Sequence, residues 1–96
     1  MATEKYILVR VFCEQTKIET EFINNLHEFG LVSFEEKENE LFLDESDISE
    51  IEKLFRLHHD LGINYEGLDA IRQMLRRMED LQNEMTVLKK KLHLYE

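Results

Sequence analysis

From Ile71 to Tyr95 the apolar residues Ile71, Met74, Met78, Leu81, Met85, Leu88, Leu92 and Tyr95 alternate by three and four without a miss. That spacing draws one narrow seam along a helix, the a and d positions of a heptad pattern. A helix that only covers its own domain carries a broader stripe, and this seam outruns any globule the preceding residues can build. Self-association is therefore the expected use. If the seam side chains each gain about half of a ~1.5–3 kcal/mol burial, the sum is roughly 6–12 kcal/mol per chain, comparable with the ~4–15 kcal/mol cost of association. Met74, Met78 and Met85 would also suit an adaptable hydrophobic groove, but their spacing favours the seam. Arg77, Glu84, Lys89 and Lys91 beside it permit either strand direction.

The chain has 96 residues, one domain's worth, and a globule of that size buries only about 60–70 % of its unfolded surface, so a second copy would help. It contains no proline, three glycines and no linker-like tract. Upstream of the seam, "YILVRVF" (6–12) is β-branched and aromatic enough for a short strand or extended lead-in, and "CEQTKI" is expected to make a short helix. From Glu19 to Phe29, Phe22, Ile23, Leu26 and Phe29 mark one face of a helix that Gly30 ends. "LVSFEEKENELFL" (31–43), apolar at both ends, reads as a β-hairpin whose turn is loaded with Glu35, Glu36, Glu38 and Glu40. Asp44 then caps a helix, with Leu43 and Ile48 as a hydrophobic staple. The stripe of that helix is Ile48, Ile51, Phe55 and His58 with Leu54 and Leu61 alongside, and it stops at Gly62. Asn64, with Ile63 and Leu68, repeats the device and starts the last helix. The expected division is a globule over 1–67 and a coiled-coil helix over 68–96.

Twelve Lys and Arg face 21 Asp and Glu, a net charge of -9. The acid is local: residues 17–43 and 44–66 each hold two basic against seven acidic groups, whereas 67–96 hold six against five. Such a globule repels nucleic acid and anionic membranes at long range and favours basic partners. Lys89, Lys90 and Lys91 suit the C-terminal end of a helix dipole and read as solvated coil surface rather than a phosphate-binding patch. "MATEKYILVR" has too short an apolar run, flanked by charges, for a signal peptide or membrane span, so a cytoplasmic protein is expected. Cys13 is the single cysteine, which excludes an intrachain disulfide and points to a buried small hydrophobe.

The ordered combination "FCEQTKIETEFINNLHEFGLV", hairpin, "LDESDISEIEKLFRLHHDLGINYEGLDAI" and dimerising helix resembles the MerR-type winged helix-turn-helix over nearly the whole chain. Within that superfamily, "RLHHDLGINYEGLDAI" with "FCEQTKI" upstream is most similar to the chaperone-modulator family CbpM. The resemblance implies a mainly α fold, a winged helix-turn-helix with a small β-hairpin wing and a C-terminal dimerising coiled-coil helix, paired antiparallel. It also implies a partner: the J-domain of a CbpA- or DnaJ-type cochaperone, whose basic helix normally engages DnaK and would be blocked by an acidic binder.

Charge separates the two kinds of relative independently of the name. A DNA reader needs donors on its second helix and cations on its wing. Here that helix offers Glu19, Glu21 and Glu28 with no Lys or Arg, and Lys37 is the wing's only cation. Thr20, Asn24 and Asn25 could touch bases, but the dominant phosphate term is missing, so DNA is disfavoured. A MerR-type transcriptional regulator is the runner-up. The expected partner-binding groups are Glu19, Glu21 and Glu28 on the second helix and Glu45, Asp47, Glu50 and Glu52 on the third. The bland alternative for any one of them is a solvated face.

Enzymatic readings find little. His58, His59 and Asp60 are adjacent, but neighbouring helical residues point about 100° apart, so the two imidazoles cannot share an ion. His58 is expected on the inner stripe and His59 in water. His27 and His93 stand elsewhere with no Cys or carboxylate cluster at ligand spacing around them, and no glycine-rich phosphate loop occurs. No catalytic residue, metal or cofactor is expected.

Overall fold

The computed structural model describes residues 5–95, with the side chain of Tyr95 excepted, so the first four residues of the leader argument and the side chain at the last seam position lie outside what is described. The fold is mainly helical with a small antiparallel sheet. In chain order it comprises strand β1 (Tyr6–Leu8), helices α1 (Val9–Thr16) and α2 (Thr20–Glu28), and strands β2 (Glu35–Lys37) and β3 (Glu40–Asp44). A 3-10 turn at Glu45–Asp47 leads into helices α3 (Ile48–Leu61) and α4 (Tyr65–Tyr95).

The first boundary differs from expectation. The strand stops at Leu8 and α1 starts at Val9, within the β-branched run. Val9 and Phe12, three apart, both enter the core, and that burial outweighs the weak β preference of Val and Phe. Thr16 closes the helix by donating its hydroxyl to the Phe12 carbonyl at 2.7 Å, and Lys17 turns the chain at φ 66°. The turn ends at Glu19, whose carbonyl accepts the Phe22 amide at 3.1 Å and so opens α2.

Gly30 does end α2, at φ 74°. Its amide reaches the His27 carbonyl at 3.0 Å and the Leu31 amide reaches that of Leu26 at 2.8 Å, a Schellman closure with Leu26 and Leu31 both buried. The wing is shorter than its apolar flanks suggest. Leu31 and Val32 are core residues in the connection, and β2 holds only exposed Glu35, Glu36 and Lys37. The turn is Glu38–Asn39, both left-handed (φ 51° and 64°), which is the type I′ geometry that matches strand twist. Glu35, Glu36 and Glu40 therefore lie on strands, not in the turn. β3 pairs on its other edge with β1, giving the order β1-β3-β2 and tying the N-terminal segment to the wing.

Asp44 caps as expected, its Oδ1 accepting from the Ser46 amide and hydroxyl at 2.9 Å, but a 3-10 turn intervenes before α3. On α3, Ile51 and Leu54 are buried while Ile48, Phe55 and His58 are half-buried. Leu61, expected alongside them, is 69 % exposed, because Gly62 ends the helix one residue later at φ 69° and turns the chain away. Asn64 caps α4 through its side chain, which accepts the Gly67 amide at 2.8 Å. Staple residue Leu68 is fully buried and Ile63 packs against the same core. That core gathers Val9, Phe12, Ile18, Phe22, Ile23, Leu26, Leu31, Val32, Leu43, Ile51, Leu54 and Leu68. Cys13 sits at its edge, half-buried, rather than inside it.

α4 leaves this core early. Arg72 is tied to it, donating Nε to Glu50 Oε1 and Nη1 to the Gly30 carbonyl, each at 3.3 Å. From Gln73 to Leu94 every residue is exposed, including the seam positions Met74, Met78, Leu81, Met85, Leu88 and Leu92, while Ile71 is half-buried.

Candidate functional site

The front of the helix-turn-helix is formed by the outer face of α2, the α1–α2 turn and the wing. On it Thr20, Glu21, Asn24 and Glu28 are exposed, as are Glu19 in the turn and Glu35, Glu36, Glu38 and Glu40 on the wing. Of the nearby cations, Lys37 and Arg10 are engaged, whereas Lys17 in the turn is exposed. Lys37 Nζ lies 5.3 Å from the centre of the Tyr6 ring, and Arg10 Nη2 is 3.3 Å from Glu40 Oε1. Asn25, one of the residues considered for base contacts, is turned inward and half-buried, with Nδ2 donating to the Tyr65 hydroxyl at 3.1 Å.

Two cavities flank the α1–α2 turn, and Glu19 lines both. The larger, about 600 Å³, is a groove floored by Leu8, Val9, Cys13, Ile18 and Leu41 and rimmed by Arg10, Glu14, Glu19 and Glu40. The smaller, about 370 Å³, lies where α2, α3 and α4 meet and is lined by Lys17, Glu19, Glu21, Phe22, Phe55, His58, His59 and Tyr65. Its rings are in mutual contact. Phe22 meets Phe55 edge-on at 5.3 Å and 84°, His58 stacks on Tyr65 at 4.8 Å, and His59 stacks on Phe55 at 5.3 Å. Phe29 extends the cluster against Tyr65 at 5.5 Å, and a separate pair, His27 on Phe34 at 4.4 Å, joins the end of α2 to the wing.

The fold therefore brings Glu19 and Glu21 together at an aromatic cavity and leaves Glu28 at the far end of α2. The acids of α3 go elsewhere. Glu45 and Glu52 border a depression with Arg56, and Glu50 lies with Lys53, Arg72 and Arg76 in another. Asp47 is half-buried, and its carboxyl is held above the usual aspartate range by desolvation, then by the charges of Asp44 and Glu50, against the pull of Arg72 and Arg76. Glu50 is thus already paired with Arg72, so the second acidic block presents less free charge than its sequence implies. Sequence reading missed Phe55, Tyr65, His59 and Phe29 as a group. Each had an ordinary explanation as a stripe, cap or solvent residue, and the available signal was the ring-rich run Phe55, His58, His59, Tyr65.

His58 and His59 divide as expected. His58 is half-buried with Nδ1 2.7 Å from the Ile63 carbonyl, and His59 is exposed with Nδ1 3.1 Å from Asp60 Oδ1. Among the described residues no group of three or more His, Cys, Asp or Glu is placed to hold a metal ion, and no helix is long and apolar enough to cross a membrane.

Comparison with known proteins gives the same architecture a family. The model of the family described as "MerR HTH family regulatory protein" matches residues 7–90, from within β1 almost to the end of α4. No curated protein matches the chain. The matched span takes in the paired helices, the wing, α3 and most of α4, and the family it defines is regulatory rather than enzymatic. The chain belongs to the MerR helix-turn-helix family of regulatory proteins.

Proposed function

We propose that this chain is a cytoplasmic, dimeric regulator that turns the front of its helix-turn-helix toward protein, binding the basic face of a J-domain of the CbpA or DnaJ type and blocking its stimulation of DnaK. In this reading residues 1–67 are the binding globule, and residues 68–96 pair two copies through the seam. The observation that carries it is the charge of the front. Glu19, Glu21 and Glu28 on and beside α2 and Glu35, Glu36, Glu38 and Glu40 on the wing are exposed and outnumber Lys17, Lys37 and Arg10, of which Lys37 lies over Tyr6 and Arg10 pairs with Glu40. The apolar groove beside Glu19 supplies what an acidic patch lacks, a desolvated centre where a few contacts carry most of the affinity. Resemblance to CbpM proteins names the partner, and the sign of the charge agrees with it. Glu45, Asp47, Glu50 and Glu52, expected from sequence to join in, lie apart from this front, so their part in binding is secondary, with Glu45 and Glu52 less neutralised than the Arg72-paired Glu50.

The second reading is a MerR-type DNA-binding transcriptional regulator, and the family match taken by itself favours it. Charge weighs against it. Neutralisation of phosphates supplies most of non-specific DNA affinity, and this front repels them. Calorimetry of the full chain with a cognate J-domain is the deciding experiment. Binding at low salt that weakens as salt is added is expected, and no detectable heat at low salt would sink the J-domain reading. Fluorescence anisotropy on a promoter fragment covers the other side: tight, sequence-selective binding at physiological salt reverses the ranking.

A further inference from the structure

We propose that the aromatic cavity between α2, α3 and α4 is a receptor for one arginine side chain of a basic partner. The inference deepens the reading above and rests on its basic protein partner. It identifies the group that enters and the residues that take it.

Three features of the cavity fit a guanidinium. The walls are π surfaces, Phe22, Phe55 and Tyr65 with the His58 and His59 rings, and aromatic faces attract cations, arginine most often among side chains. The rim carries Glu19 and Glu21, whose carboxylates match a forked donor. The lining also offers neutral acceptors. The Ile63 carbonyl can only accept, so His58 Nδ1 carries the proton of their 2.7 Å bond, and in the tautomer with its single proton there Nε2 is an acceptor. His58 Nε2 meets no partner among the described residues and is not sealed from solvent. The Tyr65 hydroxyl accepts from Asn25 and retains a lone pair.

Arginine fits better than lysine. Its guanidinium is flat, stacks on rings, carries five donors and is weakly hydrated, whereas an ammonium is a compact, strongly hydrated point charge. Two features oppose any cation: Lys17 at the rim and the positive end of the α2 dipole. Glu19 and Glu21 outnumber Lys17, so the formal charge of the acidic and basic side chains at the mouth is negative. An arginine seated here lies beside the N-terminal half of α2, at the edge of the acidic front. There it would act as the enclosed anchor that a merely charged surface does not provide.

The test is an NMR titration of the full chain, read on aromatic and amide resonances, with N-acetyl-arginine amide as probe and N-acetyl-lysine amide as comparison. Saturable shifts at the Phe55, His58 and Tyr65 rings are expected, with arginine tighter by about threefold or more. Glu21→Gln should weaken arginine binding by about threefold, and Lys17→Ala should tighten it by a similar factor, as single partly exposed charges do. No saturable shift at these rings, or equal affinity for both probes, overturns the proposal. A cognate J-domain separates this inference from the reading beneath it. Phe55→Leu keeps apolar volume but removes the π face, and exposed His59→Ala trims the wall without touching the core. If both bind the J-domain as wild type does, the arginine receptor is overturned and the acidic front stands. If the J-domain does not bind at all, the reading of the partner falls while the arginine titration still decides the cavity.

Discussion

α3 and the outer part of α4 carry apolar periodicity of the same kind, yet Ile51 on α3 is 1 % exposed and Met78 on α4 is 63 % exposed. The difference is one of reach. α3 places Ile51 and Leu54 in the same buried cluster as Phe22, Leu26 and Leu43, so the centre of its stripe is satisfied within one chain. α4 touches that core only through its first turns, ending with Leu68 and the Arg72 clamp. A helix of 31 residues is roughly 46 Å long, far more than the globule can cover. Periodicity thus identifies a face that needs covering, and geometry decides whether its own chain can do it.

The largest effect expected is on the covered side. Leu26 is fully buried and joins α2 to the closure at Leu31, so Leu26→Ala should lose about 2–5 kcal/mol in chemical denaturation. The loss should be the same at every protein concentration above dissociation. A cost under about 1 kcal/mol would mean that the α2 core repacks more freely than its burial implies.

On the uncovered side, Leu81→Lys should weaken pairing by about a hundredfold or more, because each charge forced into a closed seam costs several kcal/mol. Sedimentation should then show monomers, with the aromatic circular dichroism of the globule unchanged. A mass identical to wild type would show that the seam does not pair two copies, and loss of the aromatic signal would tie α4 more closely to the globule than its exposure suggests.

Which parts were legible follows the same division between local and distant causes. Gly30, Gly62 and Asn64 end or start helices as their positions suggest, because caps and staples are settled within about six residues. The β1–α1 boundary was not readable. Ile7 to Phe12 prefer strands locally, and only the placement of Val9 and Phe12 in a core built from distant segments makes a helix there. The wing turn hid for another reason: Glu38–Asn39 adopts the type I′ geometry without the glycine that usually signals it. For the site, the overall acidity of the front was legible as composition. Its division was not. The sequence cannot say that Arg72 neutralises Glu50 from 22 positions away, or that Phe22, Phe55 and Tyr65 converge from three helices.

A smaller effect is expected where the two regions join. Arg72 bridges α4 to α3 through Glu50 and to the end of α2 through the Gly30 carbonyl. Removing it by Arg72→Ala should cost about 0.5–1.5 kcal/mol, the range of partly exposed charged hydrogen bonds. It should also loosen the angle of α4, read as faster amide exchange around Ile71 with little change near Leu26. Uniform acceleration in both places would show that the clamp supports the whole globule instead of the junction.

The smallest effect is electrostatic and sits at the same junction. Asp47 immediately precedes α3 within the reach of the charges of Arg72 and Arg76, yet desolvation and the charges of Asp44 and Glu50 keep its carboxyl protonated to higher pH than in the unfolded chain. The folded state therefore binds more protons than the unfolded state between the ordinary aspartate range and the raised value. Through that interval stability falls as pH rises, and the deficit persists at neutral pH. Asp47→Asn removes the ionisation, so it should raise the melting temperature at neutral pH by roughly 1–3 °C, as a surface change of a few tenths of a kcal/mol does in a chain this size. The advantage should shrink as pH drops through the raised value and vanish below the ordinary aspartate range, where wild type is also protonated. A variant less stable than wild type at neutral pH would show instead that the attraction of Arg72 and Arg76 dominates. Asp47 would then bind the two regions together rather than strain the joint between them.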